Sequence, residues 1–404
     1  MDNWWQTPSL SRFIGELVES LWRGQIVLLF TPKRVPSDFI QEFKARCRTN
    51  DISDFETLDF GQNSFNPLDV IYDHFSLGEL ETYVPKNIHD VFGHIPASIS
   101  TLLIFKNLKL EEAEKKGFTE FMGHLSHYYR TSEHDAHEHK HKLLVLIENG
   151  QLLPDDFSPE PNFERKVFSQ LANPLTQHNG LCYYLNFENG NVMSELHEQL
   201  IISLARFDLE LTEQLVQANS LLLDKYEEIL NDYANDRSWG DVQYIAASQL
   251  TSNEKWQRWS EGILDFDGEG VIYNSAFLQM HGQSNEIKRR MWVAMVRTIF
   301  PVIEGVRHEL VSSKMFDFKD EAYLINRDNP INNRSDFEIG QIAYCTKMKY
   351  IHVNCYDRQR RKRIFDLIKL SADIRNDIAH LDIPKKESLE LLIQEANDLP
   401  EILK

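Results

Sequence analysis

The sequence has few cysteines, and none of them form a closely spaced pair. Its four cysteines, Cys47, Cys182, Cys345 and Cys355, are scattered over 404 residues without a CxxC motif. In a chain of this size, that distribution is typical of reduced, structural thiols rather than of a disulfide framework. We therefore expect a cytoplasmic protein.

Long hydrophobic runs are also absent. Apolar stretches such as Ile26–Phe30 and Leu102–Phe105 are far shorter than the roughly 20 residues that cross a bilayer. Met1–Trp5 contains no basic region followed by an apolar core, so we expect neither a secretory signal nor a membrane segment. Hydrophobic residues still make up 42% of the chain, which is enough for the cores of two or three globular domains.

An excess of positive charge is the third feature that the chain lacks. With 43 basic and 62 acidic residues, its formal net charge is −19. The protein as a whole therefore has no electrostatic attraction to nucleic acid. Any contact with RNA has to come from a local cluster of basic residues.

Short apolar runs alternate with helical patterns in the first half of the chain. Gln25–Phe30 is rich in β-branched and aliphatic residues, which predicts a buried strand. Further strands are predicted at Thr57–Phe60, Ser98–Phe105, Lys142–Ile147 and Leu181–Phe187. This alternation favours an α/β domain with a mostly parallel sheet, which we expect to extend over residues 1–236. A long helical stretch at Asn191–Tyr233 would end that domain.

The remainder of the chain is predominantly helical. Residues 237–283, which contain three tryptophans, are predicted to be a helical connector. Four helices are then predicted at Glu286–Lys314, Asp336–Lys349, Asp357–His380 and Lys386–Asp398. Because their connections are short, we expect a four-helix bundle over residues 284–404. The predicted fold class is thus an α+β multidomain protein.

The third of these helices ends in a motif that can carry chemistry, Arg375-Asn376-Asp377-Ile378-Ala379-His380. An arginine, a polar residue and a histidine at this spacing, before the last helix of a bundle, resemble the HEPN family. The resemblance covers about Ser284–Lys404. It implies a metal-independent endoribonuclease with Arg375, Asn376 and His380 as catalytic residues, in a composite site formed by two protomers.

The residue types themselves fit RNA cleavage. Imidazole titrates near neutral pH and can move the proton of a 2′-hydroxyl group. A guanidinium group stabilises charge on a phosphate through paired hydrogen bonds. On one helix, Arg375 and His380 are separated by about 140°, so a symmetric homodimer would be needed to bring them together. The alternative is that both residues only interact favourably with the negative end of the helix dipole.

A dense basic run opens the same helix. Positive charge is unfavourable at a helix N-terminus, so these residues are candidates for phosphate contacts. The alternative is that they pair with acidic groups of this chain or of a partner. The candidate nucleic-acid-binding residues are Arg358, Arg360, Arg361, Lys362 and Arg363.

The first predicted strand is followed by a loop at the position of a P-loop. Thr31–Ser37 reads TPKRVPS, which has no glycine and two prolines that lack amide donors. The order of elements nevertheless resembles a degenerate P-loop or STAND-type ATPase domain. That resemblance implies a domain without a working nucleotide site, so we expect no cofactor and no ATP hydrolysis. Such a domain can bind a protein partner.

Histidines are concentrated between His124 and His141. His124 and His127 are spaced so that they can share a metal on one helix face, and His134, His137, His139 and His141 follow. The HExxH spacing is absent, and His139 and His141 would point apart on a helix. A metal site and a solvated segment remain the two alternatives, and we assign no metal ligand.

Two functions follow from these patterns. The first is a HEPN-type ribonuclease that acts on RNA as a homodimer. Similar modules fused to such domains serve as effectors in bacterial antiphage or toxin–antitoxin systems. The second is a non-catalytic dimerising adaptor or RNA-binding subunit, in which the α/β domain recruits a partner.

Overall fold

The computed structural model divides the chain into two compact units. One unit consists of Met1–Gly180 and Ile245–Asn274, and the other of Leu181–Tyr244 and Ser275–Lys404. The residues that the structure describes are 4–33, 35, 38–60, 66–79, 86–95, 102–106, 112–131, 141–148, 152, 154–157, 163–168, 177–181, 192–218, 222–267, 270–325 and 331–404.

Helices and strands alternate in the first 180 residues. In chain order these elements are α1 (Pro8–Trp22), β1 (Ile26–Thr31), α2 (Phe39–Arg48), β2 (Phe55–Asp59), α3 (Pro67–His74), α4 (Ile88–His94), β3 (Leu102–Lys106), α5 (Glu112–Thr131), β4 (Lys142–Glu148) and β5 (Phe163–Val167). The described part of the chain is therefore of the mixed α/β class, as the sequence predicts.

The remaining elements are mainly helical. They are α6 (Val192–Ala205), α7 (Leu209–Ala218), α8 (Leu222–Asn235), α9 (Ser252–Ser260), β6 (Leu264–Asp267), β7 (Gly270–Tyr273), α10 (Ser275–Met280), α11 (Ser284–Ser312), β8 (Phe316–Phe318), α12 (Asp320–Tyr323), α13 (Ile339–Lys347), β9 (Ile351–Val353), α14 (Arg358–Ala379) and α15 (Lys386–Ile402).

A parallel sheet forms the centre of the first unit. Its five described strands have the order β2-β3-β4-β1-β5, and every pair is parallel. All six residues of β1 are buried, because β4 and β5 pair with its two edges and helices pack on the sheet. A parallel sheet covered on both faces requires such continuous apolar strands. The predicted parallel sheet is confirmed.

Four of the five predicted strands overlap strands of the structure. β1, β2, β3 and β4 lie at the predicted places. The strand β5, Phe163–Val167, was not predicted, because its sequence FERKV carries three charged residues in an edge strand. The predicted strand Leu181–Phe187 lies outside the described residues apart from Leu181, which ends a helical turn.

Residues 245–274 belong to the first unit although they are distant from it in sequence. Within this segment, Tyr273 donates a hydrogen bond of 2.5 Å from its hydroxyl group to the carbonyl oxygen of Ile245. The strands β6 and β7 form an antiparallel hairpin. Residues 268 and 269, between these two strands, lie outside the described part.

Four long helices of the second unit match the predicted bundle helices. α11, α13, α14 and α15 begin and end within a few residues of the predicted bounds and pack on one another. The unit also contains α6, which packs on α11 and α15. The bundle helices therefore share their core with residues that the sequence assigned to the first domain. The predicted boundaries at residues 236 and 283 do not coincide with the division into compact units, and they stay predictions.

The predicted long helix at Asn191–Tyr233 is interrupted. Arg206, with a φ of 57°, ends α6 in the left-handed conformation. Asp208 then accepts a hydrogen bond of 3.0 Å from the amide of Leu211 at the start of α7. A carboxylate in this position caps a new helix. An apolar pattern continues through the break, which is why periodicity alone predicted one element.

None of the described helices is long and apolar enough to cross a membrane. Three cysteines are described, and Cys47, Cys345 and Cys355 are all free and buried. Burial raises the pKa of the Cys47 thiol to about 12 and that of the Cys345 thiol to about 11. These two side chains are therefore inert packing residues.

We predict opposite effects of the same substitution at two glycines of the first unit. A Cβ atom at Gly180 would lie 2.2 Å from Cζ3 of the buried Trp4, whereas at Gly123, inside α5, it would meet no atom within 4 Å. Gly180→Ala should lower the free energy of unfolding by about 1–3 kcal/mol through overpacking. Gly123→Ala should raise it by up to about 1 kcal/mol through helix propensity.

Urea denaturation of the full chain, followed by circular dichroism, measures both changes. A Gly180→Ala protein that is as stable as the Gly123→Ala protein would show that Trp4 does not pack against this glycine.

Candidate functional site

The motif helix α14 is amphipathic. Asp357 caps its start, because its Oδ1 atom accepts hydrogen bonds of 2.8 and 3.1 Å from the amides of Gln359 and Arg360. One face of the helix packs in the second unit, and its buried residues are Ile364, Leu367, Ile368, Ser371, Ala372, Ile374 and Ile378. The opposite face is left to solvent and carries the candidate site.

The end of α14 presents the histidine of the motif to solvent. His380 follows the last helical residue and is exposed. The amide of Asp382 donates to the carbonyl oxygen of Asp377 at 2.8 Å, and the amide of Leu381 donates to that of Ile378 at 3.2 Å. This pair of bonds is a Schellman motif, which normally has glycine at the position of Leu381. Leu381 has a φ of 61° and is 42% exposed.

Asn376 and His380 lie on the same side of α14. Four residues correspond to about 400° of rotation, so the two side chains are about 40° apart. Both residues are exposed. An amide group and an imidazole group therefore reach solvent next to each other at the end of the helix. The structure brings together these two of the three predicted catalytic residues.

Arg375 faces the neighbouring helix α13 instead. Its Nη2 atom lies 3.1 Å from Oε2 of Glu338, the residue before α13. The side chains of Arg375 and Glu338 are 36% and 65% exposed. An ion pair at this exposure contributes at most about 1 kcal/mol, so a phosphate group can compete for the guanidinium. Arg375 and His380 remain about 140° apart around the helix, as expected from their spacing.

The basic run at the start of α14 divides into two groups. Arg360 donates from Nε to the carbonyl oxygen of Ile402, and Arg361 donates from Nε to that of Cys355 at 2.8 Å. Arg363 lies 3.0 Å from Glu395 and 2.7 Å from Asp398. These three guanidinium groups connect α14 to α15 and to the preceding loop.

Arg363 has two acidic partners. Hydrogen bonds to Glu395 and to Asp398 raise the pKa of the Arg363 guanidinium. Arg358 and Lys362, by contrast, are exposed, and among the described residues neither has an ion-pair partner. The two residues that remain available for phosphate are therefore Arg358 and Lys362. The assignment of the whole run to nucleic acid stays a prediction.

Sequence reasoning did not find Glu338 as the partner of Arg375. The two residues are 37 positions apart, and no local pattern connects them. It also missed Tyr356 and Phe365, two exposed aromatic side chains among the basic residues. No sequence pattern singled out Phe365, because an apolar residue on an amphipathic helix usually faces a core.

The loop after β1 is occupied by contacts within the first unit. In a parallel sheet, ligands bind beyond the carboxyl ends of the strands, where the order of strands reverses direction, and β1 has this position. Here the amide of Lys33 donates to the carbonyl oxygen of Ser260 at 2.8 Å, and the Lys33 side chain pairs with Glu261. The amide of Lys33 is therefore not available to bind a phosphate group. The absence of ATP hydrolysis stays a prediction.

The histidine-rich segment is described only in part. His134, His137 and His139 lie outside the described residues. His141 is buried before β4, and its burial lowers the pKa of its imidazole. Among the described residues, no group of three or more histidine, cysteine, aspartate or glutamate side chains can hold a metal. His124 and His127 instead line a cavity of about 770 Å³ beside α5.

Comparisons with known proteins assign no family. No protein-family model matches the sequence, and no curated protein matches it. The chain is similar to a chain in a structure of Drosophila ORC bound to DNA, with 11% identity, a TM-score of 0.34, and coverage of 98% of this chain and 72% of that chain.

A second similar structure is Drosophila ORC bound to poly(dA/dT) DNA and Cdc6. The identity is 9% and the TM-score 0.25, with 98% of this chain and 73% of that chain covered. TM-scores this low assign neither a fold nor a function to the chain.

Leu381 gives a stability prediction for the end of the motif helix. A left-handed conformation costs a non-glycine residue roughly 1–2 kcal/mol. Leu381→Gly should therefore raise the free energy of unfolding by about 1 kcal/mol, since an exposed side chain buries little. The matched control is Leu391→Gly, because Leu391 is 48% exposed inside α15.

Leu391→Gly should lower the free energy of unfolding by about 1 kcal/mol, because glycine is a poor helix former. Thermal and urea denaturation of the two variants measure the difference. Equal destabilisation by both substitutions would contradict the left-handed geometry at Leu381.

Proposed function

We propose that the chain is a metal-independent endoribonuclease of the HEPN type, acting as a homodimer. The observation that carries this proposal is the exposure of Asn376 and His380 on one face at the end of α14. Arg375 supports it, because the one ion pair that it forms with the described residues is with the exposed carboxylate of Glu338. All three functional groups can reach a phosphodiester from solvent. We further propose that this activity serves a bacterial defence or toxin–antitoxin system.

The proposed reaction is an internal transesterification of RNA. The 2′-oxygen attacks the adjacent phosphorus, and its proton passes to the imidazole of His380. The bond between phosphorus and the 5′-oxygen breaks, and the departing oxygen takes a proton from water. The products are a 2′,3′-cyclic phosphate and a 5′-hydroxyl group. Arg375 stabilises the charge on the phosphate oxygens, and Asn376 donates a hydrogen bond to one of them.

Two protomers are needed for one complete site. Because Arg375 and His380 are about 140° apart on α14, they do not converge on one phosphate within a chain. In a two-fold dimer, Arg375 of one protomer can face His380 of the other. The second unit also exposes apolar side chains that a dimer would cover, including Tyr344 and Met348, which are 50% and 45% exposed at i, i+4 near the end of α13.

A specific observation favours the second candidate function, a non-catalytic adaptor. Arg360, Arg361 and Arg363 already bond to groups of the second unit. These three guanidinium groups are therefore less available for binding phosphate. An adaptor needs no free phosphate-binding cations, and the first unit would bind its protein partner. Catalysis is what separates the two candidates.

Cleavage that needs no metal is the first expected result. Incubated with total cellular RNA in excess chelator, the wild-type protein should cleave. His380→Ala and Arg375→Ala should each lower the initial rate by roughly a hundredfold or more, because they remove the proton carrier and the phosphate-stabilising cation. Matched controls are His352→Ala, an exposed histidine on β9, and Arg23→Ala, an arginine in an exposed ion pair with Glu19.

Both controls should cleave at the wild-type rate. Undiminished cleavage by the His380→Ala protein, or cleavage that chelation abolishes, would contradict the proposed mechanism. A wild-type protein that does not cleave would favour the adaptor.

Subunit mixing tests the composite site. Co-expressed with different tags, Arg375→Ala and His380→Ala chains should form mixed dimers with one intact site out of two. About half of the dimers are mixed after random association, so that activity should recover to roughly a quarter of the wild-type rate. If each site were built from one chain, no activity would return. Light scattering establishes the dimer in the same samples.

A further inference from the structure

Two exposed aromatic side chains lie among the cations of α14. The side chain of Tyr356, two residues before the helix, is fully exposed at 104% of its reference area. Phe365, on the second turn after the basic run begins, is 39% exposed. Burial does not explain either ring, because solvent-facing positions favour polar residues on an amphipathic helix.

Six exposed residues at the helix α14 form one continuous stripe. Successive members are three, four or seven residues apart, so their directions fall within about 60° around the helix axis. The members are Arg358, Lys362, Phe365, Lys369, Asn376 and His380. We call them, together with Tyr356, the aromatic–basic stripe. From Arg358 to His380 it is about 33 Å long, at roughly 1.5 Å per residue.

The charge of this segment is opposite to that of the chain. Residues 358–369 contain six basic residues and one acidic residue, whereas the whole chain has a net charge of −19. Arg358, Lys362 and Lys369 point outward, and among the described residues none of them has an ion-pair partner. Three of the six basic residues, Arg360, Arg361 and Arg363, bond within the second unit. The local attraction for phosphate that an acidic protein needs therefore comes from the first half of the stripe, where Arg358, Lys362 and Lys369 outnumber the exposed Asp366.

Three carboxylates limit where a polyanion can lie. Asp366, Asp373 and Asp377 are exposed on one border of the stripe, about 60–100° from Asn376 around the axis. Phe365 lies about 20° from Asn376 in the opposite direction around the axis. A phosphate backbone repelled by the three carboxylates would pass along the side that carries Phe365.

Exposed rings favour single strands over duplexes. The bases of a single strand are free to stack on an aromatic side chain, whereas those of a duplex are already stacked and paired. A second copy of this chain is a less suitable occupant. A two-fold contact through the first half of α14 would bring Arg358 and Lys362 close to like charges.

We propose that the aromatic–basic stripe binds single-stranded RNA, with Tyr356 and Phe365 stacking on bases and Arg358, Lys362 and Lys369 contacting phosphates. At the 3.4 Å rise of a stacked strand, the stripe would accommodate roughly ten nucleotides. The inference rests on the proposed function in one respect: the stripe leads the RNA to Asn376 and His380. Binding itself does not require cleavage.

Fluorescence anisotropy tests the binding. The probe is a labelled 12-nucleotide oligo(U) RNA, titrated with full-length His380→Ala protein in excess chelator so that cleavage does not interfere. Tyr356→Leu and Phe365→Leu should each weaken binding about tenfold or more, because stacking contributes roughly 1–3 kcal/mol per base. Tyr356→Phe and Phe365→Trp keep an aromatic ring and should retain the affinity.

The matched control is Trp22→Leu. Trp22 is 47% exposed in the first unit and has the Lys142 ammonium group 4.5 Å from its ring centre. Trp22 and Lys142 therefore combine an exposed ring with a cation at a place away from the stripe. Trp22→Leu should leave the affinity for RNA unchanged. Arg358→Gln and Lys362→Gln should each reduce the slope of log K against log salt by about 0.7.

Several outcomes would overturn the inference. Wild-type affinity in the Phe365→Leu protein would do so, as would equally tight binding of a duplex of the same length. A changed molar mass of the Phe365→Leu protein at unchanged RNA affinity would assign the ring to a protein interface instead.

RNA binding by the stripe can be tested separately from the proposed RNA cleavage. Ring-dependent binding without cleavage by the wild-type protein would support the stripe and contradict the enzyme. Cleavage that is insensitive to both leucine substitutions would support the enzyme and overturn the stripe.

Discussion

Burial of the aliphatic side of α14 determines which of its polar residues reach solvent. Ile364, Leu367, Ile368, Ile374 and Ile378 are nearly inaccessible. Each such side chain contributes roughly 1.5–3 kcal/mol when it is fully buried. A single exposed ion pair contributes at most about 1 kcal/mol. The core therefore sets the rotation of the helix, and the positions of Arg375, Asn376 and His380 follow from it.

Some cations of α14 bond within the second unit, and the others are exposed to solvent. Arg360, Arg361 and Arg363 lie toward carbonyl and carboxylate groups of the second unit, and their donors are used there. Arg358, Lys362 and Lys369 are exposed and form no ion pair with the described residues. One basic run can serve both purposes because adjacent helical residues point about 100° apart.

The sequence predicted the elements of the two units better than their grouping. The strands β1, β3 and β4 were recognisable because a sheet buried on both faces needs uninterrupted apolar runs. β5 was not predicted because it is an edge strand with three charged residues, and it lacks an apolar run. The assignment of residues 245–274 to the first unit was not predictable, since it depends on contacts between segments far apart in the chain. Local periodicity carries no information about such contacts.

For the candidate site, the sequence alone determined the chemistry and the spacing. It identified the helix bounds, the guanidinium, amide and imidazole groups of the motif, and the angle of about 140° between Arg375 and His380. Only the tertiary structure decided that Glu338 pairs with Arg375, that three arginines of the basic run are already bonded, and that Tyr356 and Phe365 face solvent. The physical reason is that helical spacing is a local property of the backbone. Which face is covered, and by which partner, depends on residues that fold against it from elsewhere in the chain.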